Sequence, residues 1–172
     1  GDVGSVLTGI EKEVKGKLVI STAAIIPIEY YEDVVPGARY VRSMPNIAAL
    51  ARASFTAYTC GPGVTAEDKA AVKTLLDTMG TCMEVEEKYM DAVTGLSGSS
   101  PAFVAIVIEA LMFAGLKVGL PRELSLRSSA QSVLGAAKLV LDGTMKPNEV
   151  AEMVTTPGGT TIEGIYEIED GK

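Results

Sequence analysis

The sequence predicts an α/β layer over its first half and an all-helical region over its second. Three observations lead there. Strand-forming runs such as Leu18-Val19-Ile20-Ser21 and Ser54-Phe55-Thr56-Ala57-Tyr58-Thr59-Cys60 alternate with helical spacing as far as Tyr89. Beyond Tyr89 the strand signals stop, and Gly and Pro punctuate helices only. With 47% hydrophobic residues in 172 positions, the chain has the material for one or two packed domains rather than a disordered segment.

Taken in order, Val3 to Val14 carry helical spacing and end at Lys15 and Gly16, and Lys17 to Ser21 read as a short buried strand. Ile25 to Tyr31 predict a short helix with Pro27 in its first turn, followed by a Pro36-Gly37 turn. Arg39-Tyr40-Val41-Arg42-Ser43 alternates polar and apolar residues as a strand does, and Ser54 to Cys60 form the next. Thr65 is placed to cap a helix with Glu67 and Asp68 in its first turn, an apolar face of Ala66, Val72, Leu75, Leu76 and Met79, and a stop at Gly80. Cys82 to Val85 close the α/β part.

In the helical part, Ser100 caps and Pro101 opens a very apolar helix, and Pro121 opens a second with Leu124, Leu126, Ala130, Val133, Leu134, Ala137 and Leu141 at core spacing. The stretch from Pro101 to Leu116, interrupted by Glu109, falls short of the roughly 20 residues of a membrane span and reads as a buried helix. Small residues at Ala110, Ala114, Gly115, Gly135, Ala136 and Ala137 permit close backbone approach, and helices apolar on most faces need neighbours on most faces. An intimate dimer built from these helices meets that need.

Composition narrows the function. A net charge of -7 argues against nucleic acid as a partner. Cys60 and Cys82 form no CxxC pair and the chain has no histidine, so neither a disulfide framework nor a metal site is expected, and a reduced, cytoplasmic setting fits. The N-terminal residues have no basic region or apolar signal core, so secretion is not expected.

Several motifs admit two readings. Gly61-Pro62-Gly63-Val64-Thr65-Ala66 matches the G-x-G-x-x-A of dinucleotide folds, with Glu84 and Glu86 at a suitable distance. Pro62, however, has no N–H to offer a pyrophosphate, and a strand-to-helix turn with a Thr cap accounts for every residue, so a structural turn is expected. Thr155-Thr156-Pro157-Gly158-Gly159-Thr160-Thr161 has the composition of an anion site, with glycines that expose successive N–H groups, hydroxyl donors and a helix N-terminus beyond; an ordinary capped helix-loop-helix connection is the plainer reading. Asp91 to Pro101 is either a ligand-approach loop or a linker. Ser43-Met44-Pro45-Asn46 lies where a strand ends, the place open α/β sheets use for ligands. Glu109 is a candidate acid, or a carboxylate paired with Arg or a backbone group at an interface.

In this order, Met44-Pro45-Asn46, Asp91-Ala92-Val93-Thr94-Gly95-Leu96-Ser97-Gly98-Ser99, Gly119-Leu120-Pro121-Arg122, Gly135-Ala136-Ala137-Lys138 and Val154 to Thr161 resemble pyrroline-5-carboxylate reductases over nearly the whole chain. The resemblance implies the α/β remnant of a Rossmann-type NAD(P)-binding domain, residues 1–88, followed by an all-α dimerisation and substrate-binding domain, residues 89–172. It implies NADPH or NADH as cofactor, 1-pyrroline-5-carboxylate as substrate, L-proline as product, and a homodimer or higher homo-oligomer, with no nucleic acid or membrane as partner. By the same resemblance Thr156, Gly158, Gly159, Thr160 and Thr161 hold the substrate carboxylate, and the Thr161 hydroxyl lies near the ring nitrogen in a catalytic role. Ser97 and Ser99 belong to a loop beside nicotinamide and substrate, and Ala23, Ala24, Met44, Pro45 and Asn46 line the cofactor.

Three departures from the family pattern stand out. The phosphate-binding Gly-rich turn and the first strands of a dinucleotide fold, roughly the first hundred residues of a typical member, are absent, so negligible catalysis is expected of these residues alone. Ile25 stands where the family has Gly after the paired alanines, and Ile47-Ala48 replaces Thr-Pro. Ser100 replaces a Gly, which a helix cap tolerates. The competing expectation is a non-catalytic oligomerisation module, or a diverged relative that binds a small acid.

Overall fold

Leu18-Val19-Ile20 is apolar on both faces, the pattern of a strand with neighbours above and below. In the computed structural model, which describes residues 2–171, these residues form β1 (Leu18–Ser21), parallel to β2 (Arg39–Met44) with Ser21 opposite Arg42. β3 (Ser54–Cys60) runs antiparallel to β2, and β4 (Gly80–Glu84) parallel to β3, in the spatial order β1-β2-β3-β4. The carboxyl ends of β1 and β2 therefore share one edge of the sheet with the starts of β3 and β4. Gly80 has φ +143°, and a Cβ there would sit 2.2 Å from the Ser54 carbonyl oxygen, so the start of β4 requires glycine.

Strand alternation divides the core in two. Tyr40 faces α1 (Val3–Gly9) and α3 (Ile28–Val34), packing with Leu7, Ile28, Tyr31 and Val35. Its ring stacks on Tyr31 at 5.6 Å, and its hydroxyl donates to the Val35 carbonyl at 2.7 Å. Val41 faces the other way, against Tyr58 and, on α4 (Ala66–Asp77), Val72 and Leu76. Each of these buried aliphatic side chains contributes about 1.5–3 kcal/mol. Leu75, expected on the same buried face, is exposed, because the covered stripe of α4 is only as wide as Val72 and Leu76.

Thr65 caps its helix as predicted, whereas Ser100 caps nothing: it lies inside a continuous helix, where its hydroxyl donates to the Leu96 carbonyl at 2.5 Å. Asp2 accepts the Gly4 N–H at the start of α1, before the short α2 (Glu11–Val14), and Thr65 and Asp68 form a reciprocal capping box on α4. The start of α3 differs from expectation too. The helix predicted from Ile25 starts only at Ile28, with Pro27 as its N-cap, because Ile25 sits in a turn at φ +66° and cannot join a right-handed helix.

From Glu87 the chain is helical for 31 residues, to Lys117. The run comprises a 3-10 turn, α5 (Met90–Val93), a π-helical turn (Thr94–Gly98) and α6 (Ser100–Lys117). This corrects the expectation that the apolar stretch is too short for a membrane: by length and composition the helix is long and apolar enough to cross one. The helix expected to be buried is also largely uncovered within this chain. Of α6 only Met112 is buried, while Phe103 is 59% and Ile106 65% exposed.

The structure divides into two compact units after Val104, inside α6. The second unit comprises the rest of α6 with α7 (Arg122–Leu141), α8 (Pro147–Val154) and α9 (Thr160–Asp170). The residues of α7 at core spacing are uncovered too, Leu134 at 48% and Leu141 at 83% exposure, and its buried residues are Ser125 and Ser129. A Cβ on Gly115 would lie 2.6 Å from Ser125 Oγ, so α6 and α7 touch through a glycine and a serine.

Candidate functional site

Within the first unit the expected cofactor residues gather at the carboxyl ends of the parallel strands. After β1, the Ala23 N–H donates to Ser21 Oγ at 3.2 Å, and that oxygen lies 2.7 Å from the Tyr31 hydroxyl. Ala24 is exposed in the turn that Ile25 closes. Ala23 also ends an open groove of about 550 Å³ along α1 and β1, walled by Val6, Leu7, Ile10, Val19 and Ile20. After β2, Met44, Pro45 and Asn46 are half-buried. Ala23 and Pro45 are half-buried and Ala24 is exposed, all at the strand ends that open α/β sheets use for ligands.

Asn46 does more than line an edge. Its Oδ1 accepts the Ala48 N–H at 3.0 Å and starts the 3-10 turn Ile47–Ala51, while its N–H donates to Ser54 Oγ at 3.0 Å. Its Nδ2 donates to the Ser97 carbonyl at 3.0 Å and to Ser97 Oγ at 3.2 Å, and Ser97 Oγ in turn donates to the Phe55 carbonyl at 3.3 Å. Ser97 is thus brought against Asn46 by the π-helical turn, while Ser99 is exposed just beyond it. A single π turn in an α-helix recurs at functional sites because it displaces side chains from the helical register. Met44 Cε packs over Gly98, where a Cβ would be 3.5 Å away.

Sequence reasoning missed the residue beneath this arrangement. Arg42, read only as one polar position of an alternating strand, is 3% exposed and ion-paired to Asp91 and Glu87. A charged residue on the same face as Tyr40 was the available signal.

The Gly61-Pro62-Gly63 turn uses its own polar groups. The Gly61 N–H donates to the Tyr40 carbonyl at 2.8 Å, the Val64 N–H to the Gly61 carbonyl at 3.1 Å, and Thr65 and Asp68 cap each other. Arg39 grips Asp68 through Nε at 2.6 Å and Nη2 at 3.0 Å, which holds the Asp68 carboxyl well below the usual range. Neither cysteine offers a thiolate at neutral pH: burial raises the Cys60 thiol, and burial with a hydrogen bond to Asp77 pushes Cys82 up to about 11.

In the second unit the Thr-Pro-Gly-Gly segment is a tight turn. The Gly159 N–H donates to the Thr156 carbonyl at 3.0 Å, Pro157 holds the second position, and Gly158 the third at φ +67°, the pattern of a type II turn. A Cβ on Gly159 would lie 2.4 Å from Thr156 Oγ1, so Gly159 must be glycine for the Thr156 hydroxyl to fold over it. Gly159 is the N-cap of α9 and among the described residues no side chain caps that helix, so the amides that Thr160 and Thr161 place in its first turn remain open to a ligand at its positive end. Thr161 is half-buried and Thr160 exposed. Amide and hydroxyl donors so closely spaced along the chain suit a small carboxylate.

Comparison with known proteins sharpens this picture. Residues 87–172 match the pyrroline-5-carboxylate reductase dimerisation family. A pyrroline-5-carboxylate reductase of Methanosarcina acetivorans is 45% identical over 98% of the chain and 63% of its own length, and one of Glycine max is 42% identical over 91% and 57%. Among solved structures, the Plasmodium falciparum pyrroline carboxylate reductase with NADP bound superposes with a TM-score of 0.88 at 33% identity, over 98% of this chain and 68% of that one. The Coxiella burnetii pyrroline-5-carboxylate reductase gives 0.89 at 30% identity, over 98% and 64%. The chain thus spans from about half to 63% of the length of the curated relatives it matches.

Proposed function

The chain belongs to the pyrroline-5-carboxylate reductase family, and on that premise we propose that it forms the catalytic-face and substrate-binding part of an NAD(P)H-dependent reductase that converts 1-pyrroline-5-carboxylate to L-proline. The observation that carries this reading is the Thr156–Gly159 turn feeding the uncapped N-terminus of α9. Thr156, Gly158, Gly159, Thr160 and Thr161 make the carboxylate site: the threonine hydroxyls and the Thr160 and Thr161 amides donate, the two glycines set the turn that presents them, and the helix end favours the charge. The Thr161 hydroxyl faces the ring nitrogen and serves the proton that the new amine requires. Ser97 and Ser99 border the ring. NADPH or NADH, lined by Ala23, Ala24, Met44, Pro45 and Asn46, supplies the hydride to the imine carbon when bound. Orientation of imine and carboxylate is the work left to these residues.

The division into residues 1–88 and 89–172 belongs to the same proposal. β4 ends at Glu84, and the dimerisation family begins at residue 87. The uncovered apolar residues of α6 and α7 form the surface of a homodimer or higher homo-oligomer rather than a lipid-facing span. A cytoplasmic setting fits two unpaired cysteines. The 172 residues alone are expected to turn over negligibly, because in the Gly61 turn Pro62 has no N–H and the Gly61 N–H is taken by the Tyr40 carbonyl, which leaves a poor pyrophosphate cradle.

A chimera tests the proposal. The part of the Methanosarcina acetivorans relative that this chain does not span is fused ahead of it, and NADPH oxidation is followed with 1-pyrroline-5-carboxylate. Turnover by the chimera, with none by the 172 residues alone, is expected. A chimera that folds and binds NADPH but leaves the imine unreduced refutes the assignment and favours a pure oligomerisation module.

A further inference from the structure

Arg42 stands on β2 on the face that carries Tyr40, two residues further along the strand. A guanidinium 3% exposed must be paired to be tolerated. Its Nη2 donates to Asp91 Oδ1 at 2.5 Å, and its Nη1 lies 3.6 Å from Glu87 Oε1, which also accepts the Ile28 N–H at 2.7 Å. Both partners lie on the helical stretch that leads into the π turn. The other ties between that stretch and the sheet side run through Ser97, to Asn46 and to the Phe55 carbonyl of β3. Between the ties, the Thr94 hydroxyl donates to the Met90 carbonyl at 2.7 Å.

A π turn holds its side chains in a register that an α-helix does not share, and relaxing it by one residue rotates the downstream helix by about 100°. Ser97 then turns away from Asn46. The tie at the upstream end is charge-assisted and buried on the arginine side, roughly twice as strong as the neutral tie downstream. We propose that Arg42 is a positioning residue: acting through Asp91, it holds the π turn in the register at which Ser97 meets Asn46. Its bearing on catalysis rests on the reading of Asn46 and Ser97 as site residues; its bearing on the contact itself does not.

The side-chain amide of Asn46 reports on this directly in the full 172-residue chain labelled with 15N. In Asp91→Ala its two proton resonances are expected to move toward free-amide positions, and their exchange with water to rise about tenfold, the loss of one net hydrogen bond. Asp91→Asn keeps an acceptor oxygen and retains most of the protection, while Arg42→Gln behaves as Asp91→Ala. Arg39→Gln removes the other ion pair of the same strand and serves as the control for general destabilisation. It is expected to leave the Asn46 signals in place. In Asp91→Ala the Glu87 carboxylate still lies 3.6 Å from the Arg42 guanidinium, so the buried charge keeps a partner, and urea unfolding of both variants separates loss of fold from loss of register. A folded Asp91→Ala with wild-type Asn46 signals overturns the proposal, as does an Arg39→Gln chain that shifts them equally. If L-proline fails to bind while Asn46 responds as described, the functional reading falls and this one stands.

Discussion

Asn46 and Ser97, 51 positions apart, are joined twice: the Asn46 amide nitrogen donates to the Ser97 carbonyl at 3.0 Å and to its hydroxyl at 3.2 Å. Through this pair the end of β2 is fastened to the helix that succeeds the sheet. Asn46→Asp keeps the oxygen that caps the 3-10 turn but sets a carboxylate against the Ser97 carbonyl. It is expected to cost about 1–3 kcal/mol, an unmade hydrogen bond at a half-buried acceptor, as urea unfolding measures.

Ile25 carries a β-branched side chain at φ +66° and is 70% exposed, so it bears the backbone cost of the left-handed region with little burial in return. Ile25→Gly is expected to stabilise the chain by about 1 kcal/mol, after the entropy glycine loses on folding is set against the strain relieved. An unchanged or lowered urea midpoint contradicts this.

Where α6 meets α7, Ser125 Oγ is buried with no hydrogen-bond partner among the described residues. Ser125→Ala removes an orphaned hydroxyl and is expected to be neutral or to stabilise by up to about 1 kcal/mol. Gly115→Ala drives a methyl to within 2.6 Å of that oxygen and is expected to destabilise by about 1–3 kcal/mol. Thermal unfolding of both variants, and of the pair together, shows whether the two sites are coupled.

Acid stability depends on Arg39 and Asp68. The Asp68 carboxyl is held well below its ordinary range by the Arg39 guanidinium and then by the Thr65 N–H. With a depressed folded-state pKa, the stabilisation is fully present above the ordinary carboxylate value near 4 and is lost as pH falls below it. Asp68→Asn is expected to lower the melting temperature at pH 7 and to flatten its decline below about pH 4. An unchanged slope there contradicts the assignment.

What the sequence discloses here is local. Thr65 reads as a helix cap with acidic residues in the turn after it, and Gly158-Gly159 as a place where the backbone turns tightly, because each signal lies within one turn of chain. The late start of α3 was hidden, since nothing in the residues around Ile25 shows that a β-branched side chain takes a left-handed turn. Arg42 escaped for a different reason. Its partners Asp91 and Glu87 arrive from far along the chain, and alternation reports which face a residue takes, not what meets it there. The apolar residues of α6 and α7 read as core from their spacing, but the described residues of this chain leave most of them uncovered, and periodicity does not report what covers a face.

The central claim is that the Thr-Pro-Gly-Gly turn and the N-terminus of α9 take the carboxylate of a five-membered ring acid. A titration of the 15N-labelled chain with L-proline tests it most directly, read at the amides of Gly158, Gly159, Thr160 and Thr161. The account predicts saturable shifts at those amides, abolished by Gly159→Ala, which displaces Thr156, and not reproduced by chloride. Absence of any shift there at high L-proline, or the same shift with chloride, contradicts it.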